Sequence, residues 1–212
     1  MTDCIIFDFD GTIADTSAGI IATTQEAFRQ LGFPEISEER IRPTIGLVLE
    51  QSLQRAAGLT PGQTVTAARK YREIFPEYGA AASKLFPGVA ETLEVLRSKG
   101  IRMAIATSRG RESLEMIMAP YGIEKYFTDM VTATDGLAPK PAPDLVLALL
   151  SRMKQPAESS LVVGDTVFDI RMGAGAGCRT CGVTYGNQTE TQLLTASPDY
   201  IVGSFAGLLE IV

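Results

Sequence analysis

Short apolar runs alternate along the chain with segments of helical period, and this alternation is the main organising signal. The runs fall at 4–7, 101–106, 130–131, 161–163, 180–184 and 200–202. Helical spacing appears between them: Val89, Leu93 and Leu96 share a face, and 111–121 and 143–154 read as further helices. Strands that alternate with helices predict a parallel sheet covered on both faces. The long interval after the first run is different, because it contains helical patterns only. Thr16 or Ser17 can cap a segment in which Ile20, Thr24, Ala27, Phe28 and Leu31 share a face, with Gly32 as the stop. Ser37-Glu38-Glu39 starts another, Leu49, Leu53 and Ala57 mark the next, and Thr60-Pro61 opens a segment holding Ala67, Ala68, Tyr71 and Phe75. The expected fold is α/β: a Rossmann-like parallel sheet flanked by helices, with a small all-helical cap inserted after the first strand. The core is expected at 1–14 and 83–212 and the cap at 15–82, with hinges near Asp15 and Ala82.

Polar groups stand where the apolar runs give out. Cys4-Ile5-Ile6-Phe7 leads into Asp8-Phe9-Asp10-Gly11-Thr12. Carboxylates two positions apart on an extended backbone lie on one side, so Asp8 and Asp10 aim at a common point. Burying such a pair is costly unless a cation offsets it, which suits a divalent metal and a nucleophile. Gly11 permits a sharp turn and Thr12 adds a hydroxyl. The run at 101–106 closes on Thr107-Ser108-Arg109-Gly110, Lys140 stands in Ala138-Pro139-Lys140-Pro141-Ala142-Pro143-Asp144, and Leu161-Val162-Val163 leads to Gly164-Asp165-Thr166-Val167-Phe168-Asp169. In open α/β sheets ligands bind beyond the carboxyl ends of the strands, so the four segments would converge on one crevice.

In this order the four segments resemble the signature motifs of the haloacid dehalogenase superfamily of Mg-dependent phosphohydrolases, over nearly the whole chain. Phe86-Pro87-Gly88-Val89, the Lys140-Pro-x-Pro-Asp segment and Gly182-Val183-Thr184-Tyr185-Gly186 resemble its phosphoglycolate phosphatase-like branch. The resemblance implies Asp8 as nucleophile, Asp10 as general acid and base, and Thr107 and Lys140 as phosphoryl-site groups. It implies Mg²⁺ held by the Asp8 carboxylate, the Asp10 main-chain carbonyl and Asp165, with Asp169 completing the metal site by holding metal-bound water or orienting the cluster. Gly11, Ser108 and Arg109 are then expected on the substrate. Arg109 stands where the family often has lysine or a small polar residue.

Composition narrows the function classes. The 212 residues carry 25 acids against 19 bases, a net charge of -6, which disfavours nucleic acid and anionic membranes as partners. The N-terminal residues show no basic start and long apolar stretch, and no run approaches a membrane span, so a cytoplasmic location is expected. Histidine is absent, which excludes Ser-His-Asp and Cys-His catalysis and leaves Asp10 best placed for acid–base work. Cys4, Cys178 and Cys181 read as buried structural thiols, with a redox pair at 178 and 181 as the alternative.

The expected activity is hydrolysis of a small phosphorylated metabolite, with phosphoglycolate as the specific expectation. A phosphosugar mutase of the beta-phosphoglucomutase type and a non-catalytic phosphate-binding regulator are the alternatives. Arg42, before Pro43-Thr44-Ile45-Gly46-Leu47, is either a reader of a substrate carboxylate or a solvated helix side chain. The Gly173 to Gly177 stretch reads as close helix–sheet packing rather than as a linker. Monomer and homodimer remain open.

Overall fold

A computed structural model describes residues 2–212. Six parallel strands form the main sheet: β1 (Cys4–Phe7), β4 (Arg102–Ala106), β5 (Asp129–Val131), β6 (Ser160–Gly164), β7 (Arg179–Val183) and β8 (Tyr200–Val202). Their spatial order is β5-β4-β1-β6-β7-β8. The central strand β1 is buried throughout and pairs in register with β4 on one side and β6 on the other. The chain reverses its direction of travel across the sheet at β1. A crevice therefore opens beyond the carboxyl ends of β1, β4 and β6.

Helices α5 (Val89–Ser98), α6 (Arg111–Met118), α7 (Asp144–Met153), α8 (Val167–Gly175) and the short α9 (Glu190–Leu194) cover the sheet. Alternate residues of β1 face opposite layers: Ile5 and Phe7 join one apolar cluster, Cys4 and Ile6 the other. Helix α8 lies close against the sheet at Gly173, where a Cβ would sit 2.7 Å from the Val162 side chain and 2.9 Å from that of Thr180. The small residue is thus a packing device at this position, as expected from the sequence. All three cysteines are free and buried, and burial pushes the Cys4 thiol up to about 11 and those of Cys178 and Cys181 up to about 12. Such thiols pack as small apolar groups.

Between β1 and β4 the chain builds a helical block: α1 (Ser17–Leu31), α2 (Glu38–Ile41), α3 (Leu49–Ala57) and α4 (Pro61–Phe75). It has an apolar cluster of its own, with Phe28, Ile41, Leu53 and Ala67 at the centre. Helix α4 starts after Thr60, as the sequence predicts, and the structure adds a capping box between Thr60 and Gln63. A second, two-stranded sheet of β2 (Ala14–Asp15) and β3 (Lys84–Leu85) joins the chain segments that enter and leave the block. These strands are too short for any periodic signal in the sequence.

The start of α1 differs from the expectation. Thr16 occupies the N-cap position, but its hydroxyl makes no capping bond and is used elsewhere. Asp15 Oδ1 serves the first turn instead, accepting from the Ser17 amide at 3.3 Å and the Ser17 hydroxyl at 2.7 Å. Among the described residues no helix is long and apolar enough to cross a membrane.

Candidate active site

Asp8 is the first residue past β1, Thr107 the first past β4 and Asp165 the first past β6, while Lys140 enters from the loop before α7. Three strand ends and one loop thereby bring Asp8, Asp165 and Asp169 together, with one oxygen of each within 4.8 Å of the others. All three are essentially sequestered from solvent. Lys140 Nζ sits among them, donating to Asp8 Oδ1 and, at 2.7 Å, to Asp169 Oδ1. Burial works against its ammonium, but Asp169 and Asp8 outweigh that and hold it protonated, above the ordinary lysine value.

One ammonium does not balance three buried carboxylates. Burial, with Asp169, Asp165 and Asp10 nearby, drives the Asp8 carboxyl well above its ordinary value against the pull of Lys140. The Asp165 carboxyl is pushed up to about 7, by burial first and by Asp169 second. Asp8 Oδ2 is buried with no hydrogen-bond partner. An orphaned carboxylate oxygen beside two further carboxylates is the donor set of a hard divalent cation, and the residues fit Mg²⁺.

The surrounding contacts assign each acid a distinct task. Asp169 has both oxygens occupied: Oδ1 by Lys140, Oδ2 by the Thr166 amide at 3.0 Å and hydroxyl at 2.7 Å, closing the capping box of α8. Asp165 is gripped from the loops after β7 and β1. Its Oδ2 accepts from the Asn187 amide at 2.7 Å and from Asn187 Nδ2 at 2.8 Å, while Thr12 Oγ1 donates to Oδ1 at 3.5 Å. Gly11 adopts φ +85° where a Cβ would lie 2.1 Å from Asp165 Oδ2, so no other residue fits that turn. Asn187 escaped the sequence reading. It lies one residue beyond the Gly182 to Gly186 segment quoted for the resemblance, and that segment offered the only signal.

Asp10 faces a cavity of about 530 Å³ between the sheet and the helical block. Asp8, Thr107, Ser108 and Arg109 also line it, with Tyr71 and Phe75 of α4 opposite. Thr16 Oγ1 donates to Asp10 Oδ1 at 2.6 Å. Arg109 Nε donates to Asp10 Oδ1 at 3.1 Å and Oδ2 at 3.0 Å, and Nη2 to Oδ1 at 2.6 Å. The guanidinium lies 4.8 Å from the Phe75 ring centroid, bridging core and block. The Ser108 hydroxyl is buried and without a partner.

Arg42 stands apart from this assembly. It begins a short 3₁₀ turn, is ion-paired with Glu38 one helical turn earlier, and is not among the residues that line the cavity. Its partner is local and its side chain is exposed, so the solvated alternative describes its placement here.

A family model described as haloacid dehalogenase-like hydrolase matches residues 5–183, the span from β1 to the end of β7. The chain belongs to that family. Among its relatives, this hydrolase is 38% identical over 97% of its length to the Dickeya dadantii protein named "Probable phosphatase IndB", 91% of which is covered. It is 31% identical over 98% of its length to the phosphoglycolate phosphatase of Vibrio parahaemolyticus, with 95% of that protein covered. A structure from Bacteroides fragilis described as a haloacid dehalogenase-like hydrolase superimposes with a TM-score of 0.93 at 29% identity, covering 98% of this chain and all of the other. A hydrolase from Pseudomonas syringae gives 0.87 at 26% identity, covering 99% and 97%. The parallel α/β fold and hydrolase class expected from the motifs are thus those of its relatives.

Proposed function

We propose that the protein is a Mg²⁺-dependent phosphatase that hydrolyses a small phosphorylated metabolite through an aspartyl-phosphate at Asp8. The observation that carries this reading is the unpartnered Asp8 Oδ2, buried beside Asp165 and Asp169 and facing the same cavity as Asp10 and Thr107. Asp8 is the nucleophile, because it is the acid of the cluster with an oxygen left free. Lys140 holds the other Asp8 oxygen and fixes the carboxylate plane. Thr107, with Ser108 beside it, donates to the phosphoryl oxygens. Asp10 protonates the leaving alcohol and later takes a proton from the attacking water, one residue serving both directions of transfer.

The Asp8 and Asp165 carboxylates and the Asp10 main-chain carbonyl would hold the ion, with Asp169 fixing Lys140 and the helix end behind them. When bound, Mg²⁺ neutralises charge on the phosphoryl oxygens and aligns them for in-line displacement. The helical block, residues 15–82 with hinges near Asp15 and Ala82, is the cap that closes the cavity and excludes water. Phosphoglycolate is the leading substrate, supported by the names of relatives such as that from Vibrio parahaemolyticus.

The test is a panel of phosphorylated metabolites assayed with Mg²⁺ for released inorganic phosphate and for isomerised sugar phosphates. Release from small monoesters, with phosphoglycolate among the best, is the expected result. Interconversion of sugar phosphates with little hydrolysis would replace this reading by a phosphosugar mutase.

A further inference from the structure

We infer that Arg109 is a specificity residue that reads a second anionic group on the leaving-group side of the substrate, rather than the phosphoryl group itself. The inference rests on the phosphatase reading for the position of the ester oxygen. Asp10 must reach that oxygen to protonate it, and every hydrogen bond described for the Arg109 side chain goes to Asp10. Each hydrogen bond spans about 3 Å, so Arg109 lies within about two such lengths of the ester oxygen. The first atoms of the leaving group therefore meet its guanidinium.

The charge inventory of the cavity points the same way. Arg72 is paired with Glu50 at 2.6 Å, and Arg111 donates to the Met130 carbonyl at 2.5 Å and faces Asp135 at 3.9 Å. Arg109 alone among these cations has the proposed acid–base residue as its counter-ion. It is buried, with one face against Phe75, whose ring gives the in-plane N–H groups no acceptor. When Asp10 turns to the ester oxygen, Arg109 loses an acceptor in a place from which water is excluded. A buried cation left without a partner is strongly unfavourable. A carboxylate, or a second phosphate, that begins two bonds beyond the ester oxygen fills the vacancy and matches the planar fork of the guanidinium. A neutral leaving group leaves the fork empty, so selection arises as much from rejection as from attraction.

The experiment compares 2-phosphoglycolate with 2-hydroxyethyl phosphate, which keeps the ester and replaces the carboxylate by a hydroxymethyl group. Calorimetric titration of Mg²⁺-loaded Asp8→Asn protein measures binding without turnover. The carboxylate ester is expected to bind at least about tenfold more tightly, the scale of one hydrogen-bonded charge contact. In Asp8→Asn/Arg109→Gln that ratio should collapse to within about threefold, and Asp8→Asn/Arg109→Lys should give an intermediate ratio. Equal binding of the two esters with Arg109 in place, or a ratio that survives in the glutamine variant, overturns the inference. If the glutamine variant does not fold by circular dichroism, the ratio with Arg109 in place and its decline or persistence in the lysine variant decide the matter. Phosphate release by the unmodified protein is followed on the same pair. A binding preference without release from either ester would defeat the phosphatase reading and with it the leaving-group placement of Arg109, while an Arg109-dependent ratio would still support its reading of a second anionic group. Equally efficient release from both would uphold the phosphatase reading and overturn the inference about Arg109.

Discussion

Thr16 and Asp10 are joined by a 2.6 Å hydrogen bond that links the start of the helical block to the acid at the mouth of the crevice. The bond holds the Thr16 hydroxyl toward Asp10, and its oxygen accepts no capping bond from the first turn of α1. Thr16 is buried, so the contact is shielded from competing water.

Thr16→Val keeps the volume and removes the donor. We expect kcat to fall by about tenfold with KM little changed, since a hydrogen bond to a charged group contributes about 1.5–3 kcal/mol. Helix α1 should keep its stability, because Asp15 serves its first turn. Steady-state kinetics on the best ester of the panel, with a thermal melt alongside, checks both; an unaltered kcat would sever Thr16 from the function of Asp10.

Asp8→Asn should lower turnover by at least about 10⁴-fold, the scale seen when a nucleophile is removed. In metal-free buffer the same variant should melt at or above the temperature of the unmodified protein. It takes one of three crowded charges out of the buried cluster, and like charges so placed oppose one another. Ester hydrolysis that persists in the variant would exclude Asp8 as nucleophile.

Asn187→Ala removes the Nδ2 hydrogen bond to Asp165 Oδ2, keeps the main-chain amide bond to the same oxygen and leaves every proposed metal ligand in place. Partners of this kind typically change metal affinity by about 10- to 100-fold. The readout is the rise in melting temperature as Mg²⁺ is titrated, which follows from mass action and needs no substrate. A Mg²⁺ midpoint equal to that of the unmodified protein would reduce Asn187 to a bystander.

The Asp165 carboxyl, raised by burial to about 7 from an ordinary value near 3.8, gives a pH test in chelator. Between those values the folded protein holds a proton that the unfolded chain has released. Asp165 therefore withdraws stability as pH rises through that window. Asp165→Asn abolishes the titration, so its melting temperature relative to the unmodified protein should be higher at pH 8 than at pH 5. The same difference at both pH values would contradict this origin of the cluster's instability.

Much of the site could be read locally. Cys4 to Phe7 is a continuous apolar run, and such a run marks a buried strand wherever it lies in the sheet. The acids and hydroxyls that follow β1, β4 and β6 are then carried to one edge by parallel pairing alone. Thr60-Pro61 likewise marks the start of α4, where the structure adds contacts between Thr60 and Gln63. Arg42 could not be placed locally: its neighbourhood in sequence allowed a substrate contact or a solvated side chain, and the structure pairs it with Glu38, four residues earlier.

By itself, then, the chain's order of residues determined the parallel core, the helical insertion and the roster of polar groups at strand ends, because periodicity and strand-end position are properties of neighbours. Only the tertiary structure decided how those groups are wired. Arg109 takes Asp10 from 99 positions away, Thr12 reaches Asp165 across 153, and Asn187 clamps Asp165 from the next strand's loop. Those pairings depend on which side chain is left without water when the sheet and the block close on one another, and no local pattern encodes that.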